Sequence, residues 1–158
     1  MKFFITIIFS ILIFVDVSYS QVNFTGYLVD KENKKMKDVV INLYKGNEQI
    51  SSTKWSNKFD YDLALETYYT IELIKEGFIP KKIAVSTFQG DKGAEPFLFV
   101  MELVAVKDAT KDVDSDFPSA LIEYKKDEGS FDFDEDYAKN LKKAQKEALL
   151  NEKKDEKN

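Results

Sequence analysis

Three carboxylates, Asp132, Asp134 and Asp136, stand at i, i+2 and i+4 near the C-terminal end of the chain. That spacing opens an EF-hand-type calcium loop, in which oxygen ligands come from alternate positions and a glycine and a glutamate complete the turn. Here the sixth position is Tyr137 rather than glycine, and the twelfth is Lys143 rather than glutamate. The loop fails at both diagnostic places, so these three residues are weak calcium candidates, and the segment reads as a solvated, acidic helix start. A second carboxylate pair, Asp60 and Asp62, would suit a glycosidase if the two acids faced each other across a cleft. Both fall on the polar side of one alternating strand, where acids are simply hydrated. Trp55, the only tryptophan, and Tyr68 lie near a strand end and a turn. Aromatics there can stack on sugar rings or anchor a protein partner.

Other chemistry is closed off by composition. The 158 residues include no histidine, no cysteine and no arginine; every basic side chain is lysine. Triads of the Ser-His-Asp or Cys-His type are therefore impossible, as are histidine or thiolate metal sites. No cofactor site and no catalytic set is expected. The net charge is -5, with 28 acids interspersed among 23 lysines. Such a surface offers no electrostatic footprint for nucleic acid.

The residues that remain must be positioned by short strands. Residues 1–20 are read first as a secretory signal: Lys2, an apolar run, then Ser18 and Ser20 at the small-residue positions before Gln21. The run is too short to span a bilayer, and no cysteine follows it, so a lipoprotein is excluded. An exported product, periplasmic or extracellular, without a membrane span in its mature chain is expected. Residues 21–106 then alternate. Phe59, Tyr61, Leu63 and Leu65 against Asp60, Asp62, Ala64 and Glu66 give the clearest period of two, a strand with one face buried and one wet. Similar patterns at 22–30, 39–44, 49–55, 69–73 and 83–85, with 96–106 apolar on both faces as for a central strand, make seven strands. Even spacing predicts a β-sandwich. Gly77 is placed in a turn that favours positive φ, with Phe78 entering the core. Residues 107–133 read as an acidic loop with a possible extra strand at 120–125. Residues 134–158 read as a helix and charged tail, with Tyr137, Leu141, Ala144 and Ala148 on one stripe and Asp134 to Asp136 capping its start.

Several of these stretches, in order, resemble a known family. Thr25-Gly26-Tyr27-Leu28-Val29-Asp30, Met36-Lys37-Asp38-Val39-Val40-Ile41-Asn42-Leu43, Lys58-Phe59-Asp60-Tyr61-Asp62-Leu63, Tyr69-Thr70-Ile71-Glu72-Leu73, Lys75-Glu76-Gly77-Phe78 and Lys81-Lys82-Ile83-Ala84-Val85 are similar to the carboxypeptidase regulatory-like domain of exported Bacteroidota proteins. The family has glycine before the Phe59 strand, where this chain has Ser56-Asn57-Lys58. Phe117-Pro118, Ile122-Glu123-Tyr124 and Phe131-Asp132-Phe133-Asp134 resemble a tail found behind such domains in Bacteroidota envelope proteins. The resemblance implies a transthyretin-like, seven-stranded β-sandwich acting as a non-catalytic accessory module. The expected role is binding or scaffolding within a larger cell-envelope assembly, such as an outer-membrane transporter or secretion machine. The alternative is a carbohydrate- or small-ligand-binding module built around Trp55 and Tyr68.

Overall fold

The computed structural model describes residues 21–55, 58–89, 95–108, 117–141, 143–144 and 147. The expected signal segment, the expected turn at 56–57, residues 90–94 and 109–116, Ala148 of the expected stripe and the charged tail lie outside the described residues.

Among the described residues nine strands form two sheets. They are β1 (Gln21–Val29), β2 (Val39–Lys45), β3 (Glu48–Trp55), β4 (Lys58–Ala64), β5 (Tyr68–Ile74), β6 (Lys81–Ser86), β7 (Phe97–Glu102), β8 (Ala120–Lys125) and β9 (Ser130–Phe133). The smaller sheet has the order β4-β1-β7, and the larger β3-β2-β5-β6-β8-β9. Most neighbours are antiparallel; β1–β7 and β6–β8 are parallel. The inner faces of both sheets meet in one core. From the small sheet come Phe24, Leu28, Phe59, Leu63 and Phe99; from the large sheet come Ile41, Ile71, Leu73, Ile83 and Ile122. This is the alternation read from the sequence, with every second side chain turned inward.

The strand count departs from the expected seven. Seven strands form near the expected places, and β8 and β9 add two more. The acid-rich stretch hides β9 because it has only four residues, yet Phe131 and Phe133 point inward around Asp132. Phe131 meets Phe24 edge-on across the sheets, with ring centroids 5.1 Å apart. Phe133 packs against Phe97 and Phe99 of β7 at 6.1 and 5.9 Å. A tight turn joins β8 to β9: Gly129, at φ 71°, donates its N–H to the Lys125 carbonyl at 2.8 Å.

A second departure concerns residues 96–106, expected as a central strand. Among the described residues β7 pairs only with β1, so it is an edge strand. It stops at Glu102; beyond it Leu103 turns back to the core and Val106–Asp108 form a 3-10 turn. Gly77 takes φ 79° as its turn requires. Phe78 is half-buried against the core and bridges to Ala105.

Residues 135–141 are helical. Asp134 caps them, its Oδ1 accepting the N–H groups of Asp136 at 2.9 Å and Tyr137 at 3.0 Å. Tyr137 donates its hydroxyl to the Pro118 carbonyl at 2.7 Å, so the first turn docks on the chain entering β8. Further along the expected stripe, Leu141 is half-buried and Ala144 is exposed. The Tyr137 N–H holds the Asp134 carboxyl below its ordinary value. The capping contribution is therefore complete above the unfolded carboxylate range, and it is lost as pH falls through the lower folded value. Asp134→Ala is expected to cost about 1 kcal/mol, and Asp134→Asn to remove that acid sensitivity. Amide exchange at Tyr137 and Ala138 across an acid titration measures both.

Candidate functional site

Outward-facing residues of the large sheet bring polar groups from distant parts of the chain into one row. The β2–β5 register sets Asn42 beside Glu72 and Tyr44 beside Thr70; β3 adds Ser52 beside Asn42, and β6 adds Lys82 beside Glu72. Asn42 is buried although it lies on the outer face. A buried amide is costly unless its donors and acceptor are used. Here its Nδ2 donates to Glu72 Oε2 at 3.0 Å, while its Oδ1 accepts the Ser52 hydroxyl at 2.8 Å. The Tyr44 hydroxyl donates to the same Glu72 oxygen at 3.2 Å. Burial raises the Tyr44 pKa, and the neighbouring Glu72 charge adds to that. The result is a carboxylate held in place by two donors.

A concavity of about 380 Å³ opens over this row, lined by Tyr44, Gly46, Thr70, Glu72, Lys82 and Pro118, among others. Gly46, in the β2–β3 turn at φ 57°, donates its N–H to the Tyr68 carbonyl at 3.1 Å. Tyr68 lies one pleat along β5 from Thr70. Its ring packs against Phe88, with centroids 4.9 Å apart, and both rings are exposed, at 65% and 42%. Tyr68 is therefore on the outer face, opposite the buried Tyr69. Of Trp55 only the backbone is described, at the end of β3 opposite Val39; its side chain lies outside the described residues.

The other candidate residues are dispersed. Asp60 accepts the Thr25 hydroxyl and pairs with Lys58 at 2.9 Å. These two contacts, Thr25 first, hold its carboxyl below the ordinary range. Asp62 accepts from Asn23 at 2.9 Å. Each acid of that pair thus has its own partner on the outer face of the small sheet. Asp132 is exposed on β9, Asp134 is engaged as the helix cap, and Asp136 is exposed on the helix. Among the described residues no group of three acids is close enough to hold a metal ion. Burial lowers the Lys81 pKa, and its ammonium donates to the Glu102 carbonyl at 2.7 Å. A larger concavity, about 480 Å³, lies where the 30–34 loop meets the end of β7. Two of its lysines are already paired: Lys31 with Asp108 at 2.9 Å, and Lys34 with Glu32.

Tyr68 is expected from the sequence as a possible contact and stands exposed on this face; Asn42, Glu72, Tyr44 and Phe88, which share the face, are not among the expected contacts. The signal for Asn42 was an amide interrupting an apolar strand; its partner Glu72, 30 positions on, becomes a neighbour only through strand pairing.

No family model and no curated protein matches the chain. Solved structures with some likeness include S.CueP, with 10% identity and a TM-score of 0.41 over 54% of this chain and 64% of that one. They also include the 3-chlorocatechol 1,2-dioxygenase of Rhodococcus opacus 1CP, with 12% identity and a TM-score of 0.39 over 58% and 62%. The catechol 1,2-dioxygenase of Acinetobacter sp. ADP1 gives 10% and 0.42 over 66% and 59%. The chain thus spans less than two thirds of each of these proteins, and at such scores the likeness carries no argument about activity.

Proposed function

We propose that this protein is a non-catalytic, exported binding or scaffolding protein: a transthyretin-like β-sandwich that attaches to a larger cell-envelope assembly. The observation that carries this reading is the contrast between the two edges of the small sheet. On the outer face of β4 stand Lys58, Asp60 and Asp62, the charges that normally guard an edge. On the outer face of β7 stand Leu98 and Val100, exposed at 61% and 58%, with a charge, Glu102, only at the end of the strand. The exposed Val106 follows shortly after the strand. Neighbouring exposed apolar side chains on a sheet edge favour contact with another chain. A partner strand laid along β7 would bury both, with the sheet supplying backbone pairing and the side chains supplying apolar area. The absence of histidine, cysteine and arginine from the sequence supports a role without catalysis.

Gentle purification from the native envelope tests this. The unaltered protein is expected to retain a stoichiometric large companion, and the double variant Leu98→Glu, Val100→Glu to lose it. Both side chains are exposed, so the melting temperature should be nearly unchanged. A companion kept by the variant, or none kept by the unaltered protein, overturns the reading.

A further inference from the structure

We propose that the outer face of the large sheet, on the far side of the molecule from Leu98 and Val100, is a saccharide-binding site. One neutral sugar ring sits over Thr70 and Glu72, and an adjoining ring lies against the Tyr68–Phe88 pair.

The chemistry of the lining selects the ligand class. An anion would meet the Glu72 carboxylate, with Lys82 the one basic side chain of the lining among the described residues and no arginine in the chain. A metal ion would find a single carboxylate there among the described residues. A wholly apolar ligand would desolvate Glu72, Thr70 and the Tyr44 hydroxyl without replacing their water contacts, which is unfavourable. A polyol answers each of these groups, because every hydroxyl both donates and accepts.

Two atoms are set to receive it. Glu72 Oε2 is engaged by Asn42 and Tyr44, whereas its other carboxylate oxygen has no hydrogen-bond partner among the described residues. The Thr70 hydroxyl likewise has none. Ser52 fixes Asn42, and Asn42 fixes Glu72, so the acceptor is oriented before any ligand arrives. Preorganisation of that kind reduces the ordering cost of binding. The site also has an apolar wall. Tyr68 lies two residues from Thr70 on the same face, about 7 Å along the strand. Its ring and that of Phe88, 4.9 Å apart, leave aromatic surface exposed beside the polar concavity. Sugar rings present an apolar C–H face together with a rim of hydroxyls, and this surface offers the counterpart of each.

The test uses the full exported chain on an array of neutral oligosaccharides of glucose, mannose and galactose, printed beside uronic-acid and phosphorylated counterparts. Calorimetry then follows on the best neutral binder. At least one neutral class is expected to bind. Tyr68→Ala, at an exposed position, should weaken it about tenfold, the size expected for one aromatic contact, with an unchanged melting temperature. Thr70→Val and Glu72→Gln should weaken it as well. Retention of the anionic sugars alone, no retention at all, or neutral binding undiminished in Tyr68→Ala and Thr70→Val would each overturn the proposal.

Discussion

Phe131→Ala is expected to cost about 3–5 kcal/mol, while the adjacent Asp132→Ala should change stability by no more than about 0.5 kcal/mol. Phe131 is buried, with its ring edge-on to Phe24 at 5.1 Å and to Tyr124 at 5.4 Å. It joins the β8–β9 hairpin to β1 in the facing sheet, so truncation leaves a cavity where two sheets and a hairpin meet. Contacts around a cavity are lost outright unless the walls collapse, and these walls are held by strand pairing on both sides. Asp132 points the other way, into solvent. The contrast between neighbouring residues distinguishes a β9 that is part of the core from an acidic loop lying over it. Urea unfolding of the two variants measures it. Equal, small effects would mean that the hairpin contributes little to the core.

Gly26→Ala is expected to destabilise by about 3 kcal/mol, at the upper end of the range for overpacking. Gly26 lies opposite Phe59 in the β1–β4 ladder. A Cβ at Gly26 would sit 2.3 Å from Phe59 Cζ and 2.5 Å from Cε1. Phe59 is fully buried and is itself packed against Tyr61 at 5.7 Å and Phe99 at 5.9 Å, so its ring has little room to yield. The sign of the effect decides the matter. In a strand without such a neighbour, alanine would be favoured over glycine by roughly 0.5–1 kcal/mol. Adding Phe59→Leu to Gly26→Ala should recover part of the loss, because the smaller side chain removes the clash. A double-mutant cycle with no coupling between the two positions would contradict this account.

Much of the fold was legible because it obeys a period of two. Phe59 and Leu63 against Asp60 and Asp62, or Ile71 and Leu73 against Thr70 and Glu72, leave one choice of buried face. The failures have specific causes. The β9 strand carries two inward aromatics in four residues, too few to stand out among acids. The β7 strand, apolar on both faces, has the pattern of a strand covered on both sides. Its outer residues are instead exposed at the sheet edge. At the polar site, Tyr68 was readable as the outward neighbour of Tyr69. Phe88 was not, because it lies beyond the end of β6. The Ser52–Asn42–Glu72–Tyr44 cluster depends on the register of three strands, which single-strand periodicity does not contain.

The measurement that bears most directly on the proposed role is site-specific photo-crosslinking in the native envelope, with the reactive side chain placed in turn at Leu98 on β7 and at Asp60 on β4. These positions lie on the outer face at opposite edges of one sheet, so the same fold is probed on both sides. A discrete, larger crosslinked species from position 98 and none from position 60 is the predicted result. No adduct at 98, or the same set of adducts from both edges, would contradict the claim that β7 is the surface by which this protein joins its assembly.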